Sequence, residues 1–126
     1  MKAQVKQKDP KIWEIRDLAL TLDLSDLPTM ERYENAFERM REAEEAVPRD
    51  GKASEMLRGY LHMYEVLFRE LFPEDADKLF DGLAQNVSVY EDIYMSFLEF
   101  VEAQQSASVQ RRAERLSKYR PAGRKK

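Results

Sequence analysis

The sequence predicts a mainly α-helical fold, in which a short N-terminal β-hairpin is followed by a compact bundle of about four helices. Only 4 of the 126 residues are glycine and 36% are charged, many of them types that lose little side-chain freedom in a helix. Apolar residues recur with helical spacing over most of residues 27–103, whereas a period of two is confined to residues 11–24. A chain of this length can bury one core. We therefore expect a flexible basic N-terminus at residues 1–11, one helical domain with its N-terminal hairpin at 12–105, and a basic polar extension and tail at 106–126.

The hairpin is predicted from two short runs in which apolar and other residues alternate. Trp13 and Ile15 form the first run, and the leucines of residues 18–24 form the second. Arg16 and Asp17 separate the runs as a tight turn, although this pair lacks the glycine that such turns prefer. An isolated two-stranded hairpin is marginal in water, so it should pack on the helices or pair with another copy of the chain.

The first two helices are predicted from their apolar spacing and their end signals. Asp26 or Thr29 can cap the first helix, and Pro28 suits a first turn because its missing donor costs nothing there. This helix should end before Pro48. The second helix should cover about residues 52–72, with a wide apolar stripe that is typical of packing against more than one neighbour.

A short third helix and a long fourth helix are expected to follow. Glu74, Asp75 and Asp77 suit the first turn of the third helix, and Gly82 weakens its end. Ser88 and Glu91 fit a capping box at the start of the fourth. Its amphipathic pattern fades after Ala103, so the polar stretch that follows should be an exposed extension, ending in a disordered basic tail.

The charges are distributed unevenly along the chain. Residues 1–11 carry four lysines against one aspartate, and residues 106–126 carry eight basic side chains against one glutamate. The body between them holds nine basic and 22 acidic residues. The basic ends could contact an anionic partner, or could be solvated and attracted to their own acidic body. The candidate contacts for an anionic partner are Arg111, Arg112, Arg115, Lys118 and Arg120.

The sequence lacks the parts that a catalytic or metal site needs, so we expect no enzyme activity, no metal and no cofactor. There is no cysteine, and His62 is the only histidine. The scattered glycines form no phosphate-binding loop. No apolar run is long enough to span a membrane, and the N-terminus lacks a secretory signal, so we expect a cytoplasmic protein. Tyr119 is the only aromatic residue in the basic tail, which argues against sequence-specific nucleic-acid binding and leaves weak, salt-sensitive binding.

A set of aromatic residues forms the candidate protein-binding surface. These side chains could line a groove for a partner helix, or they could simply be part of the core. The set comprises Tyr60, Tyr64, Phe68, Tyr90, Tyr94 and Phe97.

Four consecutive segments carry a resemblance to a known family. They are the hairpin-like IWEIRDLALTLDLSD, the helical MERYENAFERMREAEE, the aromatic-rich MLRGYLHMYEVLFRELFPEDADKLFDGL and the final NVSVYEDIYMSFLEFVEAQ, which leads into the basic tail. In order and character they resemble the small tail assembly chaperones of long-tailed phages and prophages of Gram-positive bacteria. The resemblance covers about three quarters of the chain, from Trp13 to Gln105.

The resemblance implies a function in phage tail assembly. Such chaperones coat the aggregation-prone helical tape measure protein until tail tube subunits displace them, and they are absent from the finished virion. Often a ribosomal frameshift adds a domain that engages the tail tube protein. The codons for Lys125 and Lys126 could form a run of adenines on which ribosomes change frame. Alternatively, these two residues are an ordinary basic terminus. The alternatives are a helical regulator whose basic tail binds nucleic acid and a helical subunit of an unrelated bacterial complex.

Overall fold

The computed structural model describes residues 9–119 and confirms a hairpin followed by four helices. Of the ends expected to be flexible or disordered, residues 1–8 and 120–126 lie outside the described residues. Both strands belong to one antiparallel pair, and the four helices follow it in chain order. The elements are β1 (Ile12–Ile15), β2 (Leu18–Thr21), α1 (Leu27–Glu45), α2 (Ala53–Leu71), α3 (Ala76–Phe80) and α4 (Val87–Lys118).

The hairpin turn uses an arginine in a conformation that usually belongs to glycine. Trp13 pairs with Leu20 across the strands, and Arg16 adopts a left-handed φ of 56°. Its guanidinium group donates to the backbone oxygens of Leu79, at 2.6 Å, and Asp81, at 2.9 Å. The turn therefore fastens the hairpin to the C-terminal end of α3, where free carbonyl groups attract a cation.

Trp13 places the hairpin in the centre of the core. Its indole ring lies 5.6 Å from the ring of Phe68 on α2 and 5.2 Å from the ring of Phe97 on α4. Its Nε1 donates a hydrogen bond to Ser96 Oγ at 3.0 Å, so the buried polar atom is satisfied. The hairpin thus packs on the helices, which supply the support that an isolated pair of strands lacks.

Helix α1 begins at the predicted cap and packs along α2. The Asp26 carboxylate accepts from the Thr29 amide at 3.2 Å, and Pro28 lies in the first turn. The loop after α1 closes against α2 at Gly59, where an added Cβ would lie only 3.2 Å from the Val47 methyl groups. A larger residue at this position would push the loop away from α2.

Helix α4 starts earlier than predicted, and the proposed capping box is wrong. The cap is Asn86, whose side-chain oxygen accepts from the amides of Ser88, at 2.8 Å, and Val89, at 3.3 Å. Ser88 therefore lies inside the first turn, because Asn86 is an equally good capping residue and already binds its amide. The helix runs 32 residues to Lys118, and its side chains are exposed from Val109 onward.

Candidate functional site

A cleft of about 290 Å³ opens between α1 and α4 above α2. Helices α1 and α4 both pack against α2 and make few direct contacts with each other, which leaves the space open. We call this space the tyrosine cleft. It is lined by Phe37, Met40, Arg41, Glu44, Met63, Tyr64 and Tyr94.

The lining of the tyrosine cleft combines apolar and polar side chains, because Arg41 and Glu44 lie beside its aromatic residues and methionines. Met63 and Tyr64 are buried at its floor, and the ring of Tyr94 lies 5.3 Å from that of Tyr64 at an angle of 51°. On the α1 side, the half-buried ring of Phe37 lines the cleft and lies 4.9 Å from the ring of Tyr33, which is outside the lining. Such a surface can seat an apolar side chain, while the tyrosine hydroxyl groups offer polar contacts at its edge.

The electrostatics of the cleft combine raised phenol pKa values with one charge of each sign, Arg41 and Glu44, in its lining. Burial raises the pKa of Tyr64, and the nearby carboxylate of Glu91 raises it further. Burial also raises the pKa of Tyr94, with a smaller contribution from Glu44. Arg41, the one basic residue that lines the cleft, forms ion pairs with carboxylates of its own helix and is 2.6 Å from Glu45 Oε2. The arrangement is suited to binding an apolar, basic-flanked segment.

The structure divides the six aromatic candidates between the core and the cleft. Phe68 and Phe97 are fully buried, and no partner can reach them in this conformation. Tyr90 is also buried, and its hydroxyl group donates to Glu65 Oε2 at 3.3 Å. Tyr64 and Tyr94 line the cleft. The core alternative therefore describes Phe68, Phe97 and Tyr90, while Tyr64, which is 7% exposed, belongs to the core as well as to the cleft.

Tyr60 and the basic candidates lie outside the tyrosine cleft. Tyr60 is half-buried on α2 and packs against the core. The exposed end of α4 carries Arg111, Arg112, Arg115 and Lys118, whereas Arg120 lies outside the described residues. These four side chains form a basic surface separate from the cleft.

Gln104 is a structural residue that the sequence pattern did not reveal, since it was expected to begin the exposed extension. It is only 3% exposed, and its Oε1 accepts from the Leu24 amide at 2.7 Å. Its Nε2 donates to the backbone oxygens of Leu22, at 2.8 Å, and Pro10, at 2.9 Å. The available signal was its spacing, because it continues the buried face of Phe97 and Val101 by one turn.

Two negative findings concern the described part of the chain. Within residues 9–119, no group of three or more histidine, cysteine, aspartate or glutamate side chains is arranged to hold a metal ion. The helices in the same range are too short or too polar to cross a membrane.

Comparison with known proteins gives one family. Residues 16–126 match DUF6673, which is described as a family of unknown function. No curated protein and no solved structure matches the chain. Because the match extends over most of the sequence, the chain belongs to DUF6673.

Proposed function

We propose that this member of the DUF6673 family is a non-catalytic tail assembly chaperone of a long-tailed phage or prophage. It binds apolar helical segments of the tape measure protein and helps to recruit tail tube subunits. The observation that carries the proposal is the tyrosine cleft, with buried Met63 and Tyr64 at its floor, Tyr94 on one wall and the exposed side chain of Glu44 in its lining.

The size and chemistry of the cleft support reversible binding of a helix. A volume of about 290 Å³ accommodates one or two large apolar side chains of a partner and leaves the rest of that helix exposed. Tyrosine rings provide a large contact area with little loss of conformational freedom. A contact of this extent is small compared with a permanent interface, so tail tube subunits can displace the chaperone.

The charge of the body supports the same proposal. Residues 12–105 hold 22 acidic side chains against nine basic ones, and a surface with a net charge keeps a complex with an apolar partner in solution. Glu44 at the rim of the cleft would attract lysine or arginine residues that flank the bound apolar segment. The proposed place of action is the bacterial host cytoplasm, and the chaperone would be absent from the mature virion.

The test is co-expression of the full chain with the tape measure protein encoded at the same locus. We expect the tape measure protein to become soluble and to co-purify with the chain. Tyr94→Ser should weaken this complex about tenfold, since it removes one wall of the apolar seat. The melting temperature of the variant shows whether its fold is retained.

Two charge-reversal variants on α1 test whether Glu44, at the rim of the cleft, contributes to binding. Glu44→Lys reverses a charge at the cleft, whereas Glu31→Lys makes the same change at an exposed position outside its lining. We expect only Glu44→Lys to weaken binding. The proposal fails if the tape measure protein stays insoluble with the native chain, or if all three variants bind it as well as the native chain.

Mass spectrometry of the products of the native locus tests the frameshift that the proposal implies. A longer protein that shares residues 1 to about 120 would support it. A single product that ends at Lys126 would weaken the proposal.

The basic end of α4 supports a second candidate, a small regulator that binds nucleic acid. Four basic side chains are exposed within its last two turns. Phosphate contacts of this kind make the affinity fall steeply with salt. Salt-dependent DNA binding that is lost on deletion of residues 106–126 would favour this candidate over the chaperone. Co-purification with an unrelated bacterial complex would instead favour a structural subunit.

A further inference from the structure

Helix α4 carries an exposed apolar seam with a seven-residue repeat. Met95, Val109 and Leu116 are 53%, 59% and 69% exposed and are separated by multiples of seven residues. Leu98 and Tyr119 occupy the second apolar position of the same heptads. This spacing is typical of a helix that pairs with another helix. The core side of α4 is centred on other positions, namely Tyr90, Ile93, Phe97, Val101 and Gln104, and the half-buried Leu98 lies at its edge.

The two halves of α4 carry opposite charge. Residues 87–104 contain four acidic side chains and no basic ones, whereas residues 105–118 contain four basic side chains and one glutamate. A helix of this kind attracts a second copy of itself in the antiparallel orientation, because each acidic half then lies beside a basic half.

We infer that the seam of α4 binds the seam of a second copy of this chain, antiparallel and centred near residue 107. In this register the outer layers of the seam are apolar and the next layers pair opposite charges, whereas the central layers set a glutamine against a valine. Leu98 faces Leu116 of the second copy, Met95 faces Tyr119, Glu102 faces Arg112, and Gln105 faces Val109. The apolar layers lie at the two ends, and the paired charges lie between them and the centre.

A parallel pair would lose this match. Each seam position would face its own copy, so that Glu102 would lie against Glu102 and Arg112 against Arg112. Like charges in direct opposition destabilise a helix pair. The polar residues of the seam therefore select one orientation, at the cost of some stability.

The surface at the centre of the seam fits close approach of a second helix. A shallow depression of about 440 Å³ lies there, lined by Gln105, Ser106, Val109 and Gln110. The seam from Met95 to Tyr119 is about 36 Å long, at 1.5 Å per helical residue. Its few apolar layers predict a reversible dimer, and this dimer is independent of the tape measure protein proposed above as a partner.

The first test measures mass against concentration for the full chain by light scattering or sedimentation. We expect a monomer–dimer equilibrium. Leu116→Lys should raise the dissociation constant at least tenfold, whereas Ser117→Lys, which adds the same charge off the seam, should leave it within about twofold. Glu102→Arg and Arg112→Glu should each weaken the dimer, and the double variant should restore it.

The second test uses the absence of native cysteine to determine orientation. Leu98→Cys and Leu116→Cys variants are mixed and oxidised, and a disulfide forms only where the Cα atoms approach within about 7 Å. We expect the mixed 98–116 product. A chain that stays monomeric, or 98–98 and 116–116 products, would overturn the inference. So would a cysteine at position 116 that cross-links only to the tape measure protein.

Discussion

Replacement of Gln104 by leucine should destabilise the fold far more than its place in a polar stretch suggests. Leucine keeps the apolar stem at this buried position but can make none of the three hydrogen bonds to the chain before β1 and after β2. The Leu24 amide and the Leu22 carbonyl group, whose bonds to Gln104 are buried, would lose their partners. Water can still reach the Pro10 carbonyl group, whose bond is only partly buried.

The expected magnitude follows from these two buried backbone groups. Each buried group left without a partner costs roughly 1–3 kcal/mol. The additional apolar burial of leucine offsets about 1 kcal/mol. A net loss of about 3 kcal/mol corresponds to a melting temperature about 12 °C lower, at roughly 4 °C per kcal/mol for a chain of this length.

The assay is thermal unfolding followed by circular dichroism, with Gln85→Leu as the control at an exposed position just before the same helix. The control should melt within about 2 °C of the native chain. Hydrogen exchange at the Leu24 amide should be faster in Gln104→Leu, because its acceptor is gone. If Gln104→Leu melts within about 3 °C of the native chain, the three hydrogen bonds contribute little net stability and the reasoning is wrong.

Three further predictions concern the turn, the cap and the phenols. Arg16→Gly should be about 1 kcal/mol more stable than Arg16→Ala in urea unfolding, because both lose the α3 contacts but only alanine is strained at φ 56°. Equal stabilities would refute this. Asn86→Ala should cost about 1 kcal/mol and Ser88→Ala less than half of that, since Asn86 is the cap. A larger loss of stability in Ser88→Ala than in Asn86→Ala would instead support the capping box. Burial raises the pKa of Tyr64 and Tyr94 in the folded chain. Their contribution to the free energy of unfolding is therefore complete below their unfolded-state pKa of about 10, and it is lost as the pH rises through their higher folded-state pKa. Phenolate absorbance should therefore appear at higher pH in the folded than in the urea-unfolded chain.

The sequence alone determined the elements and most of their ends. Local rules suffice there, because strand alternation and helical spacing depend on neighbours within about four residues. Pro28 and the two capping candidates, Asp26 and Thr29, marked the start of α1, and the observed cap is Asp26. The start of α4 was misplaced because two residues of similar capping ability, Asn86 and Ser88, stand two positions apart.

Only the tertiary structure decided what covers each apolar face. Phe68 and Phe97 have the same periodic signal as the cleft tyrosines, but Trp13, which is distant in sequence, packs against both of them. Gln104 is buried for a similar reason, since its partners come from the ends of the hairpin some 80 residues earlier. Periodicity shows which side chains avoid water, whereas the identity of their neighbours depends on contacts between distant segments. The tyrosine cleft exists because α1 and α4 pack on the same helix and leave a space between them.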